Sequence, residues 1–316
     1  MFSSILHAVE SNTARKAQSL SNLRRQEALV GYLFIAPAFI LFLIFIAGPM
    51  IFSLGLSFYE WDVLSDAKYV GIDNYERLFQ DARVIRSFKT TALFVALVVT
   101  LDVVVALALA VALQQKMPDV LRYFFRTTYI LPVVVSVAAI AIVLRYMFNT
   151  QQGVINYYFS EVGIGRVNWL RSTDWALRSL IITTVWKTFG FDLLLFTAGI
   201  RNIPQHLYEA AEIDGANAWQ KFRSITLPQL SPTIFFVVVI GIIGHSQMFD
   251  QANIMTNGGP GGSTTTVVMS IWNNLSSLRL GYGSSIASVF FLIILVLTIV
   301  QFWLSRRWVY YEGGDS

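Results

Sequence analysis

A 316-residue chain with 55% hydrophobic and 13% charged residues, against the usual quarter charged, does not read as a water-soluble globular domain; it reads as a membrane protein. The formal charge of +4 is small, so the placement of basic residues carries more information than their sum. With no cysteine, disulfides and thiolate metal sites are excluded.

Residues 1–27 form a polar tail of Ser, Gln and Arg without periodic apolar patterning, compatible with disorder or a loose surface helix, and no function is assigned to it. The apolar stretch that follows is far longer than the 7 to 15 residues of a signal-peptide core, so it reads as a retained first span with Arg24-Arg25 as an inside anchor. Six spans are expected, at about 28–58, 90–115, 124–148, 177–200, 233–250 and 283–305, since roughly 20 apolar residues at 1.5 Å rise cross the hydrocarbon core. The stretches Ala28 to Tyr59, Thr127 to Leu144 and Leu280 to Ser305 hold no charge. The other three hold Asp102, the pair Lys187 and Asp192, and His245.

An even number of spans puts both termini on one side. A moderate excess of Lys and Arg, among them Arg15, Lys16, Arg24, Lys116, Arg122, Arg201, Lys221 and Arg306, favours the cytoplasm for that side. Residues 309–316 are a short tail there. In the first outside loop, about 60–88, Val70-Gly71-Ile72-Asp73-Asn74-Tyr75 marks a turn before a short amphipathic stretch. In the second, about 149–175, Trp169 and Trp175 fit the membrane interface. The third, about 251–279, opens with Thr256-Asn257-Gly258-Gly259-Pro260-Gly261-Gly262-Ser263. Its glycines resemble those of a phosphate loop, but no Lys-Ser or Lys-Thr follows and the side is wrong for ATP.

The segment 201–232, between the fourth and fifth spans, is the most informative. Pro204 suits a helix start, Gln205 to Asp214 contains good helix formers, and Gly215 stands where a left-handed residue ends a helix. Asn217 and Gln220 have capping-box spacing for a second helix, which Leu227-Pro228 and Pro232 are expected to stop. The product is helix, tight turn, helix. Its exposed face is expected to present Ala210, Ala211, Ile213, Ala216 and Phe222, small residues admitting a partner backbone and apolar ones contributing about 1.5 to 3 kcal/mol each when buried. A solvated loop on the membrane surface is the alternative.

Glu209-Ala210-Ala211, Asp214-Gly215-Ala216, Phe222, Ile225, Leu227-Pro228 and Pro232 resemble the cytoplasmic signature of permeases from binding-protein-dependent ABC sugar importers of the maltose and glycerol-phosphate type. Arg126 to Pro132, Gly153 to Asn156, Trp186-Lys187, Ile203-Pro204 and Thr256 to Pro260 extend the resemblance over roughly residues 29 to 308. It implies an all-α integral membrane protein of six transmembrane helices with the type I ABC importer permease fold, in a bacterial inner membrane. It further implies that Glu209, Ala210, Ala211, Asp214, Gly215, Ala216, Phe222, Leu227 and Pro228 form a coupling element docking on an ATPase homodimer or heterodimer. ATP and magnesium belong to that ATPase. Also implied are a second, related permease, an extracytoplasmic solute-binding protein, a sugar or sugar-derivative cargo and surrounding lipid; no nucleic acid, catalytic residue or metal is implied for this chain. The maltose-type permease carries extra N-terminal spans and a large periplasmic insertion not found in this sequence, so contacts through that insertion are not carried over.

Asp102 lies 13 residues after Lys89 and 14 before Lys116, near the centre of its span, and such a group costs at least about 2.5 kcal/mol unless it meets a partner or a wet cavity. Lys187 and Asp192 are five positions apart, about 140° around a helix, too far round to pair readily. Trp186, Lys187, Phe191 and Asp192 are candidates for a solute path, aromatic faces stacking on sugar rings; a structural Asp102 to Lys187 ion pair is the alternative. His245 is expected near the outer interface, solvated or hydrogen-bonded rather than relaying protons. Phe249, Asp250 and Asn253 are second candidates for solute contact, or simply end the fifth span. An intramembrane enzyme and an ion-coupled carrier are the rival functions. Neither a zinc-protease, a nucleophile-elbow nor an intramembrane aspartyl-protease motif supports the first, nor an internal inverted repeat the second.

Overall fold

The computed structural model describes residues 25, 27–114 and 118–310. Arg15, Lys16, Arg24 and Lys116 and the tails 1–24 and 311–316 therefore lie outside the described residues. Two compact units are present, Met1–Gly55 and Leu56–Ser316.

Helix α1 (Glu27–Leu56) has 30 residues, about 45 Å at 1.5 Å per residue. It contains a π turn at Leu43–Ala47, closed by the Gly48 N–H donating to the Leu43 carbonyl. The next residue, Pro49, has no N–H and a ring that presses on the carbonyl four residues back. Widening the preceding turn lets the helix pass the proline without breaking.

The second unit opens with a two-stranded antiparallel ribbon, β1 (Tyr59–Glu60) against β2 (Lys68–Tyr69), in which Tyr59 pairs with Tyr69 and the rings meet edge-on at 5.4 Å. Gly71, at φ 60°, turns the chain into the amphipathic helix α2 (Asp73–Gln80), where Asn74 Nδ2 donates to the carbonyls of Ser57 and Tyr59, both at 2.9 Å. Asp81 then caps α3 (Ala82–Leu113), accepting from the N–H groups of Arg83 (2.9 Å) and Val84 (3.4 Å). The cap starts α3 eight residues before the onset expected from hydropathy, because an amphipathic first turn is as good a helix as an apolar one.

The third expected span is broken. Helix α4 (Asp119–Val134) ends where Val135 and Ser136 turn extended, after Pro132 and a run of valines, and α5 (Val137–Met147) departs at 101°. After α6 (Val154–Glu161) comes the 29-residue α7 (Thr173–Arg201), capped by Ser172. Then follow α8 (Gln205–Ile213) and α9 (Ala218–Gln229), and, after a 62° bend at Leu230, α10 (Ser231–Ser246). Helices α11 (Asp250–Thr256), α12 (Val267–Ser276) and α13 (Leu280–Ser305) complete the unit. Among the described residues four helices are long and apolar enough to cross a membrane alone, and six spans result if each bent pair counts as one.

Lipid gives helices no hydrophobic reason to associate, so close packing of small against large residues must hold them. Ala106 and Ala110 of α3 meet Phe189, Leu193 and Phe196 of α7 and Val237 of α10 in one cluster. Phe94 and Val98 of α3 join Leu180 of α7, Ile140 of α5 and Met255 of α11 in another. Leu78, Val84, Val267, Tyr282 and Ile286 tie α2, α3, α12 and α13 in a third. Gly190 of α7 lies directly against the Tyr129 carbonyl of α4, leaving no room for a Cβ.

Candidate coupling segment and buried polar cluster

The segment between α7 and α10 is built as a rigid hairpin of short helices. Gly215 sits at φ 76°, its N–H donating to the Glu212 carbonyl at 3.1 Å, while the Ala216 N–H reaches back to Ala211 at 2.9 Å. This pair of bonds is a Schellman ending, which demands a left-handed residue at the glycine. Two residues on, Asn217 Oδ1 accepts from the Gln220 N–H at 2.9 Å and Gln220 Oε1 accepts from the Asn217 N–H at 2.7 Å, the reciprocal capping box its spacing predicts. Side chains then bind the two helices together. Lys221 Nζ contacts Glu212 Oε1 at 2.8 Å, holding that exposed carboxyl below its usual range, and the Tyr208 and Thr226 hydroxyls meet at 2.9 Å.

Two expectations for this segment need correction. Leu227-Pro228 does not stop the second helix. A π turn at Phe222–Thr226, closed by the Leu227 N–H on the Phe222 carbonyl, precedes Pro228 as the π turn in α1 precedes Pro49, and the helix runs on to Gln229. Phe222 is also not a fully outward anchor: half-buried, it stacks on Trp219 (centroids 5.5 Å apart) and lines a cavity of about 550 Å³ with Tyr208, Thr226 and, from the end of α3, Val111 and Gln114. The most exposed apolar side chains of the segment are Ile213, 88% exposed, and Trp219, 66% exposed. Glu209, Ala210, Asp214, Gly215, Leu227 and Pro228 are exposed, and Ala211 and Ala216 half-buried. Trp219 escaped the sequence reading although it stands two residues after the cap, in the first turn of α9, where a large side chain has little of its own chain to cover it.

Within the helices, Asp102 of α3 is 1% exposed. Its Oδ2 lies 2.8 Å from the Thr188 hydroxyl of α7 and 3.1 Å from His245 Nε2 of α10, while Oδ1 has no hydrogen-bond partner among the described residues. The anticipated Asp102 to Lys187 pair is not formed. His245 is the partner instead: Asp102 and His245 face one another across α3 and α10, whereas Lys187, one residue before Thr188, points about 100° round α7. Lys187 is buried without an ion pair or hydrogen bond among the described residues. Asp192, half-buried, lies four residues after Thr188 and so on the Thr188 face.

The aromatic candidates do not converge on these charges. Trp186 and Phe191 are 47% and 45% exposed, and Trp186 borders an apolar hollow with Val135, Ile140 and Val143. Phe249 packs on Trp272 at 5.7 Å, Asp250 is exposed at the start of α11, and Asn253 is half-buried one turn on. What α11 does bring to α7 is Gln251, absent from the sequence reading. It is 4% exposed, hydrogen-bonded to the hydroxyls of Thr183 and Thr184, so a polar seam continues along α7 from Thr183 to Asp192. Among the described residues no group of three or more His, Asp or Glu could hold a metal ion.

Residues 102–310 match the family model described as binding-protein-dependent transport system inner membrane component. The trehalose/maltose transport system permease protein of Thermococcus litoralis is 34% identical over 288 residues, covering 90% of this chain and 97% of the relative. The lactose transport system permease protein of Rhizobium radiobacter is 33% identical over 297 residues, 92% and 98% of the two chains. Among solved structures, one chain of a bacterial alginate ABC transporter, in complex with its alginate pentasaccharide-bound periplasmic protein, superposes with a TM-score of 0.80 at 26% identity, covering 89% of this chain and 96% of that one.

Proposed function

The chain belongs to the family of binding-protein-dependent transport system inner membrane components, and on that premise we propose that α8 and α9 are the lever through which a separate ATPase opens and closes a carbohydrate path. The chain is the membrane subunit of an ABC importer, with ATP hydrolysis on another chain. The observation that carries the lever is the hairpin itself. A Schellman turn, a capping box and the Lys221 to Glu212 contact fix Ile213 and Trp219 outward on a hairpin continuous in chain with α7 and α10. A partner groove that buries those two side chains acquires about 1.5 to 3 kcal/mol from each, enough to drag the attached helices.

Carbohydrate is the cargo this reading favours, since the relatives named above are described as transporting maltose, trehalose and lactose, and the matched structure as an alginate transporter. A second permease completes the pore, and an extracytoplasmic solute-binding protein presents the cargo. Both termini face the cytoplasm with the coupling hairpin. The polar groups of α7 and α11, Thr184, Lys187, Asp192 and Gln251, are favoured for contact with the solute over Trp186 and Phe191, because hydroxyl-rich cargo needs hydrogen-bond donors and acceptors. Phe249, Asp250 and Asn253 are the next group, at the start of α11 beside that seam.

Co-purification of the tagged chain, followed by reconstitution in proteoliposomes, tests the whole reading. An ATPase subunit and ATP-dependent uptake of a labelled sugar are expected. Recovery of the chain without any ATP-binding partner, or uptake driven by an ion gradient alone, would overturn it.

A further inference from the structure

The coupling hairpin passes into α10 at Leu230, where α9 and α10 meet at 62°. Prolines stand on both sides of that bend, Pro228 and Pro232, four positions apart. In an unbroken helix residue 232 donates its N–H to the carbonyl of residue 228, and a proline has none to give. The Ser231 hydroxyl supplies the missing donor, reaching the Pro228 carbonyl at 2.6 Å. Ser231 is buried, and its oxygen accepts in turn from the Tyr310 N–H at 2.9 Å. Two hydrogen bonds in series thus run from Tyr310 through Ser231, 79 positions away in sequence, to the carbonyl at the bend.

The segment that carries Tyr310 is itself held. Trp308 and Val309 donate their N–H groups to the Ser305 carbonyl at 3.2 and 2.9 Å, forming the turn that ends α13. The Trp308 ring packs on Phe235, one turn into α10, with centroids 6.2 Å apart, and Phe302 of α13 meets the same ring edge-on at 5.1 Å. Leu230 is fully buried, so close to Gly199 of α7 that a Cβ on that glycine would lie 2.7 Å from the Leu230 Cδ2.

We propose that Trp308 and Tyr310 form a strap that sets the angle between the coupling hairpin and α10, which makes them positioning residues for ATP-driven transport, an inference that rests on the reading of α8 and α9 as a lever. A helix interrupted by proline lacks a ladder bond and yields at that point. A pull on Ile213 and Trp219 would then open the angle at Leu230 before it moved α10. The strap opposes this, because opening the angle stretches the bonds among Pro228, Ser231 and Tyr310 and the contact of Trp308 with Phe235. Motion of the hairpin is thereby passed on to α10.

Sugar taken up per ATP hydrolysed, measured in proteoliposomes of the assembled importer, tests the strap. Tyr310→Pro removes the N–H and Tyr310→Ala keeps it, so the first should lower the ratio and the second leave it unchanged. Ser231→Ala breaks both bonds and should lower the ratio on the order of two- to tenfold, the population shift that an ordinary hydrogen bond supports. Deleting residues 308–316 should act likewise, whereas deleting 311–316 alone should not. Hydrolysis and the bound ATPase subunit should persist in each variant. An unchanged ratio in Tyr310→Pro and Ser231→Ala, whether at wild-type rates or with hydrolysis and uptake reduced in proportion, overturns the strap. If Gly215→Val also keeps full uptake, the lever reading falls with it; if Gly215→Val uncouples while the strap variants do not, the strap alone is overturned.

Discussion

Asp102 and His245 lie 143 positions apart in sequence and 3.1 Å apart in space, tying α3 to α10, with Thr188 of α7 bonded to the same carboxylate oxygen. Three helices of the bundle thus share one buried oxygen. A buried ionisable pair contributes little net stability over an apolar pair, but orphaning one member is costly. His245→Leu should therefore lower stability by about 2 to 3 kcal/mol, and adding Asp102→Leu should recover most of that loss. Thermal unfolding of the detergent-solubilised importer in a double-mutant cycle measures it. Additive losses from the two replacements would show that the pair does not act as a unit.

That contact marks where sequence stops being legible. The membrane class, the helix periodicity, the Gly215 turn and the Asn217 and Gln220 cap are local properties, set by residues within about five positions of one another, and each is readable before any fold is known. Which of Lys187 and His245 meets Asp102 depends on the rotation of α7 and α10 in the bundle, and apolar spans carry almost no moment to fix that rotation. Pro228 misled for a related reason. A proline is a helix breaker by local rules, yet the widened turn ahead of it, used at Pro49 too, removes the clash. Trp219 lies outside the family signature, and its exposure depends on how the hairpin folds rather than on its neighbours in sequence.

Asn156 of α6 is a second buried hub, 1% exposed. Its amide donates to the carbonyls of Thr150 (3.1 Å) and Val167 (2.9 Å), and its oxygen accepts from the Val167 N–H (3.1 Å) and Trp169 Nε1 (2.9 Å). All four possibilities of the amide are used. Asn156→Ala should cost about 2 to 4 kcal/mol by leaving buried donors and acceptors unpaired, and should increase proteolysis of the 149–172 loop while leaving the coupling hairpin protected. Asn156→Asp, which keeps the shape but loses both donors, should fall between. Limited proteolysis with mass spectrometry distinguishes these outcomes, and equal cleavage of Ala variant and wild type would refute the hub.

Gly190 permits α4 to touch α7, its missing side chain standing against the Tyr129 carbonyl. Gly190→Ala is expected to push the helices apart at a cost of about 1 to 3 kcal/mol, the range for overpacking a close contact. Gly244→Ala is the control, because nothing lies within 4 Å of a Cβ there. The two alanines should differ clearly in melting temperature. Indistinguishable values would mean α4 is free to move off α7 without penalty.

The coupling hairpin separates two kinds of failure. Gly215→Val forces a β-branched residue into φ 76°, strained by roughly 1 to 3 kcal/mol, with open space around its side chain, so the damage is to the turn and not to packing. The chain should insert and assemble, but ATP hydrolysis should no longer drive sugar uptake in proteoliposomes. Ile213→Asp with Trp219→Asp attacks the exposed face and leaves the turn intact, so it should lose the ATPase subunit on purification. Gly215→Asn, which tolerates the left-handed region, should keep substantial uptake. Transport and hydrolysis measured on the same vesicles decide the matter: full uptake in the Val variant would mean the turn is not part of the lever, whatever binds to its face.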